Sequence, residues 1–122
     1  MKNKVEVNVM SKLSISVRSH FTKEQILDLL DGCMLGCRYW CENRLGYESV
    51  ANQVFEGDAV EIVDNENKEK IYTLNTKAVK KGLTVMAKKF PKHFADFLNG
   101  DYDADTSDCF LQCALFGDVI YG

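Results

Sequence analysis

Proline and histidine are nearly missing from this chain of 122 residues: Pro91 is the single proline, and His20 and His93 are the two histidines. Neither histidine stands in a nucleophile–base arrangement. No G-x-S-x-G, Walker loop, dinucleotide fingerprint or H-E-x-x-H motif occurs either. An enzyme is therefore the weaker class, and no catalytic residue is assigned. Basic residues are not in excess, because the formal net charge is -3. That argues against a general duplex-binding protein, which carries a basic face, but leaves small anions open, since a pocket needs only a few local donors. No apolar run approaches the roughly 18 residues of a membrane span, and the first residues lack the apolar centre of a signal peptide. A soluble intracellular protein is expected. The five cysteines are an odd count, expected in the cytosol to be thiols. Linkers, repeats and low-complexity segments are absent, and the length is about that of one domain, so a single domain over residues 1–122 is expected.

What is present suits one core: hydrophobic residues make up 46% and charged residues 27%. Val5, Val7, Val9, Leu13, Ile15 and Val17 alternate with mostly polar residues, broken only near Met10-Ser11. This predicts one long strand or two strand pieces with one buried face. Thr22 and Gln25 form a capping box, and Phe21 and Ile26 have the spacing of a hydrophobic staple. The helix they open carries Ile26, Leu29, Leu30, Cys33, Met34 and Cys37 on one face and ends near Gly36. Residues 59–63 and 70–74 read as a hairpin around the turn formers Asp64-Asn-Glu-Asn67. Asn75 or Thr76 caps a helix with Ala78, Val79, Leu83, Met86 and Phe90 on its apolar stripe, in which Gly82 weakens the helix or permits a close neighbour. Pro91 marks a break, a short helix runs from Lys92 to Leu98, and Asp105 caps a last helix from Thr106 to about Phe116. The expected fold is α+β: a mostly antiparallel sheet of about four or five strands, with one early helix and two or three C-terminal helices packed on it.

The stretch Gly36-Cys-Arg-Tyr-Trp-Cys-Glu-Asn-Arg44 holds the only Trp. Between Arg38 and Tyr47 the residues alternate, which predicts a strand, with a longer helix through Cys41 as the other fit. Trp40 and Tyr39 between Arg38 and Arg44 suit a pocket that stacks a nucleobase and neutralises a phosphate. The same residues suit a Trp buried at the edge of a core. Cys33, Cys37 and Cys41 are spaced by four, as are Cys109 and Cys113, which fits buried thiols on helix faces better than the closer spacings of zinc sites. No metal is assigned. Asp101-Tyr-Asp103-Ala-Asp105-Thr106 opens like a calcium loop but has Thr106 at the glycine position and Gln112 at the bidentate glutamate position. Helix capping explains it better, with Asp103 or Asp105 left as acceptors for ribose hydroxyls. Asn75, Thr76 and Lys77 stand where a strand meets a helix, a place that favours anions.

In their order, the helix from Phe21 to Leu30, the Gly36-Cys-Arg-Tyr39-Trp40 segment and the run from Asp103 to Gly117 resemble small phage proteins of the first family of Thoeris anti-defence proteins. The likeness spans nearly the whole length. It implies a non-enzymatic sponge in the host bacterial cytoplasm that holds a glyco-cyclic ADP-ribose signal uncleaved and keeps an NAD-depleting effector silent. It also implies homodimers that associate further and, in some members, a separate site for cyclic oligonucleotides of CBASS defence; no cofactor is assigned and no membrane partner is expected. The chemistry of such a ligand assigns adenine to Trp40 or Tyr39. It assigns the diphosphate to Arg38, Arg44, Arg18 and the Asn75-Thr76-Lys77 corner, and the riboses to Asp103, Asp105 or Asn75. The competing expectation is an acidic phage inhibitor that blocks a host defence protein directly through Asp101, Asp103, Asp105 and Asp108.

Overall fold

The structure, a computed structural model, describes residues 2–10, 13–20, 22–43, 50–101 and 103–122. The alternating N-terminal run folds as two strands, Lys2–Met10 (β1) and Leu13–His20 (β2), paired antiparallel with Val5 opposite Val17 and Val7 opposite Ile15. A shift in register between Asn8 and Met10 precedes the break in the sequence pattern. The helix Lys23–Gly36 (α1) starts as its sequence predicts. The Gln25 N–H donates to Thr22 Oγ1 at 3.1 Å, and the Thr22 N–H donates to Gln25 Oε1 at 2.8 Å. Ile26, Leu29, Leu30, Cys33 and Cys37 are buried along its inner face; Phe21, the other half of the expected staple, lies outside the described residues.

The strand expected from Arg38 to Tyr47 does not begin at Arg38. Residues 37–40 make a turn, with the N–H groups of Trp40 and Cys41 both donating to the Cys37 carbonyl. Among the described residues of that range, 38–43, the strand is Cys41–Asn43 (β3); residues 44–49 lie outside the described residues. The physical reason is local: both N–H groups bond back to the Cys37 carbonyl, which closes a turn at the end of α1 and keeps residues 38–40 from extending. After the short helix Val50–Phe55 (α2), the strands Val60–Asp64 (β4) and Ile71–Leu74 (β5) pair antiparallel. The sheet order is β3-β4-β5. Their turn is tied by Asp64, whose Oδ1 accepts the N–H groups of Glu66 at 2.8 Å and Asn67 at 3.1 Å.

The helices Thr76–Lys89 (α3), Pro91–Asn99 (α4) and Ala104–Phe116 (α5) complete the chain. Asn75 is the cap of α3, accepting the Ala78 N–H at 2.9 Å. Pro91 is the first residue of α4, where its missing N–H is not needed. The cap of α5 is Asp103, not Asp105: Asp103 has extended backbone and its Oδ1 accepts the Thr106 N–H at 3.1 Å. Asp105 sits in the first turn, where its charge suits the helix dipole. From Thr106 to Ala114, every residue of α5 is buried except the half-buried Asp108. A helix buried nearly all round is a central helix, and α5 packs against α1, α3, α4 and β5. Its approach to α3 is close enough to require Gly82, since a Cβ there would lie 2.8 Å from that of Ala114 and 2.9 Å from Phe110.

The class is α+β, as expected. The described strands, however, divide into a two-stranded and a three-stranded antiparallel sheet instead of forming one; β1 lies against α3. Among the described residues no helix is long and apolar enough to cross a membrane.

Candidate functional site

Asp108 and Gln112 are four residues apart on α5, so both project from one face of the central helix. The tight turn after α1 brings Tyr39 and Trp40 to that face. Asp108 collects their donors: its Oδ1 accepts Trp40 Nε1–H at 2.8 Å and Gln112 Nε2–H at 2.9 Å, and its Oδ2 accepts the Tyr39 hydroxyl. The Cys37 thiol points to the same Oδ1 at 3.4 Å. Burial, then the bond to Asp108, raises the Tyr39 hydroxyl well above the ordinary tyrosine range.

Gln112 is completely buried. Its Oε1 accepts the N–H groups of Ile120 and Tyr121, both at 2.8 Å, and its Nε2 donates at 3.1 Å to the Tyr121 carbonyl as well as to Asp108. All donors and acceptors of the amide are thereby used. The segment Val119–Tyr121 is thus strapped across α5. The Tyr121 ring lies nearly parallel to Trp40, 5.0 Å between centroids and 15° between planes, and Phe116 closes the indole from another side at 5.4 Å. The Tyr121 hydroxyl donates to Asp64 Oδ2 at 2.7 Å. That bond pushes the hydroxyl up to about 12 and, with the turn N–H groups, holds the Asp64 carboxyl below the usual range.

Beside the strap lies an open groove of about 330 Å³. The aromatic rings of Tyr39, Phe90 and Tyr121 line it together with His93, Asp105, Cys109, Gln112 and Val119. His93 Nδ1 is 3.0 Å from Thr106 Oγ1, which fixes the ring. Among the described residues that line the groove, none is Lys or Arg. The thiol of Cys109 is lowered by its contact with Cys113, while burial raises that of Cys33. All five cysteines are buried and free, and among the described residues no cluster of three or more potential ligands is placed to hold a metal ion.

The structure brings together Tyr39, Trp40 and Asp105 of the residues singled out in sequence. Tyr39 and Asp105 line the groove; Trp40 stands behind the wall, 3% exposed with its face covered by Tyr121, and presents no open stacking surface. Arg38 is exposed on the turn beside Tyr39. Asn75, Thr76 and Lys77 stand at the start of α3 and do not line the groove, and Asp103 is committed to capping α5. Arg18 pairs with Lys4 in the N-terminal hairpin, and Arg44 lies outside the described residues. Sequence reasoning missed the roles of Gln112, Asp108, Tyr121, Phe90 and His93. One signal was present: Gln112 is the only amide within the apolar run from Cys109 to Phe116, and a polar residue in such a run must find buried partners.

The Asp108 carboxylate is engaged by the donors of Trp40, Gln112 and Tyr39. The arrangement offers aromatic contact, a fully engaged amide and the exposed carboxylate of Asp105. No protein-family model, curated protein or solved structure matches this chain.

Proposed function

We propose that this chain is a phage-encoded inhibitor of Thoeris immunity that sequesters a glyco-cyclic ADP-ribose signal without cleaving it. The observation that carries the reading is the groove, which Tyr39, Phe90 and Tyr121 line together with the exposed Asp105. Aromatic faces suit a base, and a carboxylate suits ribose hydroxyls. A volume of about 330 Å³ is at the lower end for ligand pockets, so the groove takes the nucleoside part. The diphosphate then falls to cations outside the groove: Arg38 on the same turn as Tyr39, and those of a second subunit. Sequestration at nanomolar affinity requires about 12 kcal/mol, which favours a ligand enclosed between two copies.

Calorimetric titration with glyco-cyclic ADP-ribose isomers, followed by heat release and chromatography of the ligand, tests this. Nanomolar binding with the ligand recovered intact is expected, weakened at least tenfold by Arg38→Ala. Altered ligand, or no heat with any isomer, overturns it. The second reading, direct blockade of a host protein, draws on the exposed Asp101, Asp103 and Asp105. Asp108 points inward to Trp40 and so subtracts from that acidic face. Arg38→Ala leaves this second activity intact.

A further inference from the structure

Tyr121 meets its neighbours in the way a purine base meets a binding site. Its ring stacks on the Trp40 indole, and its backbone presents an N–H and a carbonyl to the two ends of the Gln112 amide, at 2.8 and 3.1 Å. A glutamine amide reads the adjacent donor and acceptor on an adenine edge by the same pair of bonds. We propose that the strap Val119–Tyr121 is a built-in stand-in for the base, and that adenine displaces Tyr121 to stack on Trp40 and bond Gln112. This rests on the nucleotide-sequestering function proposed above and places the base one layer deeper than the open groove. The strap already forms the wall between the two, since Tyr121 and Val119 line the groove while Tyr121 covers the indole. Its outer anchor is a side-chain bond from the Tyr121 hydroxyl to Asp64. Opening it exchanges the Tyr121 ring for the base ring and the Tyr121 peptide groups for the base edge. The buried amide thus keeps a donor and an acceptor after exchange, avoiding the cost of leaving it bare.

Trp40 is the only tryptophan, so its emission reports on this face alone. The probe is adenosine diphosphate, with uridine diphosphate as the control base, titrated against the full chain, Tyr121→Ala and Tyr121→Phe, each first checked for native circular dichroism. Removing the competing ring makes the binding-competent state dominant, so Tyr121→Ala binds the adenine probe about tenfold more tightly than the unaltered chain, with quenched emission. Tyr121→Phe, which keeps the ring and loses the Asp64 bond, falls between. In Tyr121→Ala, adding Gln112→Leu abolishes the preference for adenine over uracil. If the cyclic signal binds the unaltered chain and Trp40 emission does not change, the inference falls and the sequestering function stands. If the cyclic signal does not bind while Tyr121→Ala gains affinity for adenosine diphosphate, the reverse holds. Equal affinities in all three chains, or no preference for adenine, overturn the inference.

Discussion

Asp108 shows how one carboxylate on a central helix organises a site, because it gathers the Trp40 indole N–H, the Tyr39 hydroxyl and the Gln112 amide at one point. In Asp108→Asn the charge is lost, and the amide turns N–H groups toward donors already aimed at it. Hydrogen bonds to charged groups are each worth about 1.5–3 kcal/mol, so a loss of about 2–3 kcal/mol in unfolding free energy is expected from urea titration. An unchanged midpoint would show that Asp108 merely accompanies the fold. Asn75 tests the ordinary end of the scale: Asn75→Ala removes the bond to the Ala78 N–H and should cost about 1 kcal/mol, the usual value of an N-cap.

Elements here are decided at their contacts. Helices α3 and α5 touch at Gly82, where a methyl group would come within 3.0 Å of Ala114 and Phe110. Gly82→Ala gains about 1 kcal/mol of helix propensity but overpacks a tight contact, which costs about 1–3 kcal/mol. Net destabilisation in thermal unfolding is expected, whereas the same change on an exposed helix face would stabilise. The strap is the second case. The raised Tyr121 hydroxyl means its bond to Asp64 contributes fully below the unfolded tyrosine pKa, about 10. That contribution is lost as pH rises toward about 12. The lowered Asp64 carboxyl gives the opposite limb, present above the unfolded value of about 3.9 and lost as pH falls through its folded value. Trp40 emission should therefore hold steady between these limits and shift at both ends; in Tyr121→Phe both shifts should shrink.

For the molecule as a whole, the groove, the strap and the turn carrying Arg38 lie around one helix, and a ligand held there ties them to the fold. Binding to the native state alone raises stability by about 2.7 kcal/mol at a ligand concentration of 100 times Kd. A glyco-cyclic ADP-ribose isomer should accordingly raise the melting temperature by several degrees, and an isomer the protein does not hold should leave it unchanged. Size-exclusion with light scattering gives the companion measurement: the subunit-enclosed ligand of the proposed function requires at least a dimer, and a monomer that binds at nanomolar affinity would refute enclosure.

Local patterns determined much of this protein before any tertiary contact. The Thr22–Gln25 capping box, the Asn75 cap, the Asp64–Asn67 turn and the core stripe of α1 depend on neighbours a few residues away, so periodicity and side-chain chemistry suffice to place them. Tyr39 and Asp105, singled out by their chemistry, line the groove from an exposed turn and an exposed helix start. Only the tertiary structure decided that Trp40 is walled in, that the described strands make two sheets, and that Asp103 rather than Asp105 caps α5. It also decided the pairing of Gln112 with Tyr121, nine residues later, and of Tyr121 with Asp64, 57 residues earlier. Such bonds depend on how α5 sits among its neighbours. Burial of an amide dictates that it must find partners, while the packing alone selects which ones.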